Sequence, residues 1–239
     1  MLDRSLTMWS VPQEHAMPDV SSPGRVRPPA HPRGRTAAVV AASALALAMW
    51  AYRWRLAGPD LEYLAWNLVL AWIPWLAARA VARARSALSC AAIGAVWLAF
   101  LPNAPYLVTD LVHLRPRPPV PTTFDVLLFA SFALAGCALA WGSLDAVHAR
   151  LARALGRARA AVAIAAVLLL TGFGVYLGRF ERWNSWDLVA RPRGVLADAA
   201  GALADPHALA FSALFAAFVG AGYLLLSPPR RAEALDRES

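Results

Sequence analysis

The 239-residue chain is 59% hydrophobic and 16% charged, against about 25% charged residues in a typical soluble domain, which excludes a water-soluble globule. Its net charge of +8 comes from Arg alone, since all 23 basic residues are Arg. No nucleic-acid motif or basic recognition helix accompanies that charge, so the Arg are read as topology and lipid-contact residues rather than nucleic-acid ligands.

Residues 1–35 are rich in Pro and Arg and lack periodicity, which predicts a disordered tail. This stretch is too long and too Pro-rich for the n-region of a signal peptide. The segment 36–227 is predicted to be an all-α, multi-pass transmembrane bundle, and 228–239 a short tail. Apolar runs near the length of about 20 residues that a helical span needs define six spans. They cover about 37–52, 61–78, 87–107, 124–147, 160–180 and 207–226.

Arg53, Trp54 and Arg55 follow the first span as an interfacial anchor, and Gly58-Pro59 turns the chain. The third span ends in a break at Pro102 and Pro105, followed by a Pro-rich loop. Thr122 and Asp125 stand at capping-box spacing ahead of the fourth span. Asp205-Pro206 is a helix start, with the acid as cap and Pro at the first helical position. Between the last two spans, Val195, Leu196, Ala199 and Leu203 predict a short helix lying on the surface. Cys90 and Cys137 read as small apolar residues, with no CxxC and no nearby His.

With the N-terminus placed inside, fifteen Arg fall on the inner side and eight on the outer. The positive-inside rule therefore predicts N-in, C-in. The absence of Lys beside so much Ala suggests a GC-rich bacterial source and an inner (plasma) membrane location.

That topology gathers the polar residues at the outer edge. Asn103, Tyr106, Asp110 and His113 leave the third span there, and Arg179, Arg182, Asn184 and Asp187 leave the fifth. Asn67 lies about 9 Å into the second span from the same side. Two prolines free backbone carbonyls that cannot face lipid, and Asn103 is placed to satisfy part of that deficit. Asp110 and His113 share a helical face, a spacing that suits a carboxylate orienting an imidazole general base. A metal would need further ligands from Asp125, Glu181 or Asp187, and none is assigned. If the fifth helix continues, Arg179, Arg182, Trp183 and Trp186 share one side. The two Arg either pair with Asp110, Asp125, Glu181 or Asp187, or grip a phosphate or carboxylate. Trp183 and Trp186 read as interfacial-belt residues. Gly174 and Gly178 form a GxxxG for close helix packing. Asp145 and His148 read as interfacial.

The stretches WNLVLAWIPW (66–75), FLPNAPYLVTDLVHL (100–114) and GFGVYLGRFERWNSWDL (172–188) resemble the bacterial membrane proteins of domain-of-unknown-function family 1361. The resemblance covers about 61–226. It implies a multi-pass inner-membrane protein with no established activity, and a family pattern that includes Asn67, Asn103, Tyr106, Asp110, His113, Arg179, Arg182, Asn184 and Asp187. The expected partners are the bilayer and a small anionic or lipid head group. The alternatives are a hydrolase or transferase acting on a lipid-linked substrate, with His113 and Asp110 as the catalytic candidates, and a structural or assembly protein. No cofactor or protein partner is indicated.

Overall fold

The computed structural model describes residues 32–226, so the two expected tails, save 32–35, lie outside the described residues. The described part is helical. Its elements are α1 (Pro32–Ala57), α2 (Glu62–Arg83), α3 (Ala87–Phe100), α4 (Asn103–Tyr106), a 3-10 segment (Thr109–His113), α5 (Thr122–Leu155), α6 (Arg157–Arg179), α7 (Asp187–Ala190), α8 (Pro192–Ala204) and α9 (Pro206–Leu226). Six segments are long and apolar enough to cross a membrane, the third being Ala87–His113. Val162, Leu214 and Leu224 stand exposed on the outside of α6 and α9. Such surfaces are a liability in water and ordinary in lipid. The chain is a multi-pass helical membrane protein.

α5 is the axis of the bundle, packed against α1, α2, α4, α6 and α9. Leu64, Leu68, Leu107, Phe129 and Phe132 form one core around its first half. Trp97, Leu101, Leu144, Val175 and Val219 form a second around its other half. α5 has 34 residues, about 51 Å of helix, and so outruns the roughly 30 Å hydrocarbon layer. It passes the predicted end at 147 and stops at Gly156, whose φ of 83° only glycine adopts freely.

Two local expectations hold. α8 forms where a short helix is predicted. Asp205 caps α9, accepting the His207 backbone N–H at 2.9 Å. That bond holds the Asp205 carboxyl below its ordinary pKa.

Two others are corrected together. Arg53 is 1% exposed rather than an interfacial anchor, and Asp125 is 0% exposed rather than half of a capping box. Arg53 Nε donates to Asp125 Oδ1 at 2.7 Å, and the guanidinium also pairs with Asp60. Arg117 reaches Asp60 from the Pro-rich loop at 3.5 Å. A buried Arg needs a full complement of acceptors. Asp125 therefore serves α1 rather than the amides of its own helix, whose cap position is Pro121 with no side-chain bond.

At the opposite end of the bundle, Asp145 pairs with Arg35 and His148 Nδ1 meets the Tyr223 hydroxyl at 2.8 Å. These two interfacial residues join helices.

Candidate functional site

The site begins with the helix break. Pro102 and Pro105 carry no N–H, and the regular helix α3 ends at Phe100, inside the third span. The Ala104 N–H turns back to the Leu101 carbonyl in a tighter 3-10 bond, which strands carbonyls one turn earlier. Side chains take them up. Asn103 Nδ2 donates to the Phe100 carbonyl at 3.1 Å, and Ser185 Oγ donates to the Ala99 carbonyl at 2.9 Å. Asn103 Nδ2 also donates to Ser185 Oγ at 2.8 Å, tying the break to the loop after α6. The break is wedged between two glycines. A Cβ on Gly136 would stand 2.2 Å from the Ala104 carbonyl oxygen, and one on Gly174 would stand 2.5 Å from Pro102 Cγ. Gly174 thus serves the break, while a Cβ on Gly178 would make only ordinary contact with Tyr106.

The helix expected to carry Arg179, Arg182, Trp183 and Trp186 on one side stops at Arg179. The Trp183 N–H reaches back to the Leu177 carbonyl at 3.1 Å, and Arg182 takes a left-handed conformation with φ 60°. For a residue with a Cβ that conformation costs about 1–2 kcal/mol. The loop beyond is pinned by Asp187. Its carboxylate accepts the Asn184 backbone N–H at 2.9 Å and both Nε and Nη2 of Arg191, at 3.0 and 2.8 Å. The Asn184 amide first, then Arg191, hold the Asp187 carboxyl below its ordinary pKa. Trp183, expected as an interfacial residue, also braces this loop. Its indole N–H donates to Asp198 Oδ2 at 2.8 Å, and its ring packs on Gly194 and under the Arg191 guanidinium.

Asp110 and His113 have different partners, which corrects the expected carboxylate–imidazole pair. Asp110 is 2% exposed and accepts from Asn67 Nδ2 at 2.9 Å. The His113 ring nitrogen Nε2 lies 3.0 Å from Arg179 Nη1. An Arg can only donate, so Nε2 is the acceptor and the imidazole is neutral. The two side chains lie one 3-10 turn apart, about 6 Å of rise, and each reaches a different neighbour, Asp110 to Asn67 on α2 and His113 to Arg179 on α6.

These residues border two adjoining cavities. The first, about 310 Å³, is walled by Asn67, Asn103, Tyr106, Arg182, Asn184 and Ser185 over an apolar floor that includes Leu70 and Leu177. The second, about 750 Å³, opens between the 3-10 segment and α9, with His113, Arg179 and Arg182 above Val112, Phe211 and Phe215. Tyr106, Gly178 and Arg182 border both. Asp110 borders neither and acts behind Asn67. Asp187 borders neither and shapes the loop carrying Asn184. The four carboxylates expected to neutralise Arg179 and Arg182 do not: among the described residues Arg182 has no ion-pair or hydrogen-bond partner, and Arg179 has only the neutral His113.

From the sequence, Ser185 is no more than a nucleophile candidate without local support and Trp183 an interfacial residue; neither reads as a cavity wall, and the second cavity is not legible at all. Ser185 stands beside Asn184 in a helix-compatible stretch, and Phe211 and Phe215 read like any lipid-facing aromatics.

No group of three or more His, Cys, Asp or Glu side chains that could hold a metal ion occurs among the described residues. No curated protein matches the chain, and no solved structure does. Among known protein families, the one described as Protein of unknown function (DUF1361) matches residues 66–221, well over half of the chain and every residue of both cavities. The chain, with its broken third span and paired cavities, therefore belongs to the DUF1361 family.

Proposed function

We propose that the polar end of this bundle binds a small anionic or lipid head group, gripped by Arg179 and Arg182. In this reading both termini lie inside a bacterial inner membrane, and the site opens on its outer face. The observation that carries it is Arg182. Its side chain borders both cavities without a partner, and its backbone is held in a conformation that glycine would adopt at no cost. Strain retained around an unpaired guanidinium points to a use outside the fold. Guanidinium groups bind phosphate and carboxylate oxygens bidentately.

The reading of a hydrolase or transferase with His113 as base has less support. The Nε2 lone pair faces Arg179, and Asp110 is occupied by Asn67. Ser185 gives its proton to the Ala99 carbonyl, which disfavours it as a nucleophile. The purely structural reading fits the Arg53 cluster and leaves Arg182 without a role.

The test is calorimetric titration of glycerol 3-phosphate into the purified full-length protein, with Arg182→Gly beside it. Binding by the wild type and its loss in a variant that folds equally well are expected. Equal binding by both proteins would remove the clamp. A reporter fused to the C-terminus checks the orientation: periplasmic signal would put the site on the wrong side.

A further inference from the structure

The head-group reading leaves the chemistry of the ligand open, and the hydrogen bonds behind the first cavity narrow it. Asn103 commits its Nδ2 group to the Phe100 carbonyl and to Ser185 Oγ. Asn67 aims its Nδ2 at Asp110. Ser185 commits its proton to the Ala99 carbonyl. An amide whose nitrogen is held from behind presents its carbonyl oxygen, a pure acceptor. Neither the Asn67 nor the Asn103 oxygen has a donor among the described residues. The cavity therefore combines one cation, Arg182, with three amide acceptors, Asn67, Asn103 and Asn184, the last also held through its nitrogen by Asp187, beside the Tyr106 hydroxyl. A bare phosphate satisfies the cation and repels the acceptors. A phosphate carrying hydroxyl groups satisfies both.

The second cavity supplies the other half of an amphiphile. Its rim is basic and polar, with His113, Arg179 and Arg182, while its walls are Val108, Val112, Phe180, Phe211 and Phe215. Phe180 and Phe211 meet edge to face at 5.2 Å, and Phe211 stacks on Phe215 at 5.7 Å, giving one continuous apolar wall. Phe215 lies nine residues along α9 from Pro206, or about 13 Å at the helical rise. The groove thus runs from the polar rim toward hydrocarbon depth.

We infer that the ligand is a membrane lipid with a hydroxyl-bearing phosphate head: the head sits against Asn67, Asn103 and Arg182, and one hydrocarbon chain lies in the groove between the 3-10 segment and α9. This rests on the head-group reading above and adds the chain and the hydroxyls to it. Tyr106 and Gly178, which border both cavities, form the sill over which the lipid bends.

Three probes titrated into the full-length protein in phosphatidylcholine nanodiscs separate the parts. Dihexanoyl phosphatidylglycerol carries chain and hydroxyls, dihexanoyl phosphatidic acid lacks the hydroxyls, and glycerol 3-phosphate lacks the chains. Phosphatidylglycerol is expected to bind at least ~10-fold tighter than either, because each buried methylene adds to affinity and unmet acceptors subtract from it. Val112→Trp, which fills the groove from an exposed position, should bring the ratio of phosphatidylglycerol to glycerol 3-phosphate affinity close to one. Leu88→Trp, on the lipid-facing side of α3, should leave that ratio as in the wild type. If glycerol 3-phosphate binds and phosphatidylglycerol binds no tighter, the groove is not a chain site, while the head-group reading survives. If phosphatidic acid equals phosphatidylglycerol, the hydroxyl recognition is wrong. If none of the three binds, the head-group reading fails and takes this inference with it.

Discussion

Arg53 and Arg182 sit at the same end of the bundle and meet opposite fates. Arg53 is sealed among Asp125, Asp60 and, through Asp60, Arg117. Arg182 stands on the border of two cavities with no ion-pair partner among the described residues. Three of the four carboxylates that could have served it are occupied elsewhere, Asp187 by Arg191, Asp125 by Arg53 and Asp110 by Asn67, and the adjacent Glu181 forms no ion pair with it. The lesson is that charge in a membrane protein is informative only after its partners are counted. A matched Arg holds helices together. An unmatched one beside a cavity is available to something else.

The comparison predicts opposite responses to mutation. The largest effect belongs to the sealed cluster. Asp125→Ala leaves Arg53 buried without its main acceptor and should cost about 3–5 kcal/mol in thermal unfolding in detergent. Arg53→Met combined with Asp125→Leu should recover most of that loss, since Asp60 is exposed enough to be solvated. Failure to recover would mean the cluster does more than satisfy its own charges. Next comes the wedge behind the open site. Gly174→Leu drives a side chain into Pro102 and should destabilise by about 1–3 kcal/mol while distorting the first cavity. An unaffected midpoint would show that the break can shift aside. Trp183→Phe loses the bond to Asp198 and the outer ring atoms that pack on Gly194, for at least about 1 kcal/mol. Arg182→Gly should be neutral or stabilising by up to about 1 kcal/mol, because it relieves the left-handed backbone. A loss of stability there would erase the contrast with Arg53. The smallest effect is with pH. The Asp187 carboxyl is held below its ordinary pKa, so its contribution is intact above the unfolded value of about 3.9. It fades only as pH falls through the lower folded value. Melting curves of wild type and Asp187→Asn should therefore differ by a constant amount from pH 7 to 5 and converge in stronger acid. Convergence already near neutrality would contradict the assignment.

The spans are legible in sequence because a bilayer demands long apolar runs, and those runs are local. The cap of α9 is legible for the same reason: Asp205-Pro206 carries its whole explanation within two residues. The break at Pro102 and Pro105 is legible as a deficit of backbone donors, and Asn103 is legible as part of the remedy. Ser185, the other part, lies 86 residues from the carbonyl it serves, and no local pattern reports it. Arg53 and Asp125 are 72 residues apart, so each looks like an ordinary interfacial or capping residue until the helices are packed. The stretch after Arg179 has no Pro or Gly to mark a helix end, and its helical spacing of Arg and Trp invites continuation. What ends it is Arg182 adopting a conformation that sequence statistics give to glycine. The pairing of Asp110 with His113 fails because each is taken by a partner far away in the chain, Asn67 and Arg179, which a local spacing does not report.

The separation of Arg53 from Asp125 also bears on how the protein is made. α1 and the Asp60 turn leave the ribosome well before the head of α5 does. When Asp125 arrives at the membrane, its cation is already waiting at the right depth. An acid at the leading edge of an apolar helix ordinarily hinders insertion; here an earlier helix has prepared its berth. Moving α1 to the end of the gene would leave the Arg53–Asp125 pair available to the finished fold. It would also force α5 to enter the bilayer unaccompanied, so the order of synthesis is itself part of how this bundle is assembled.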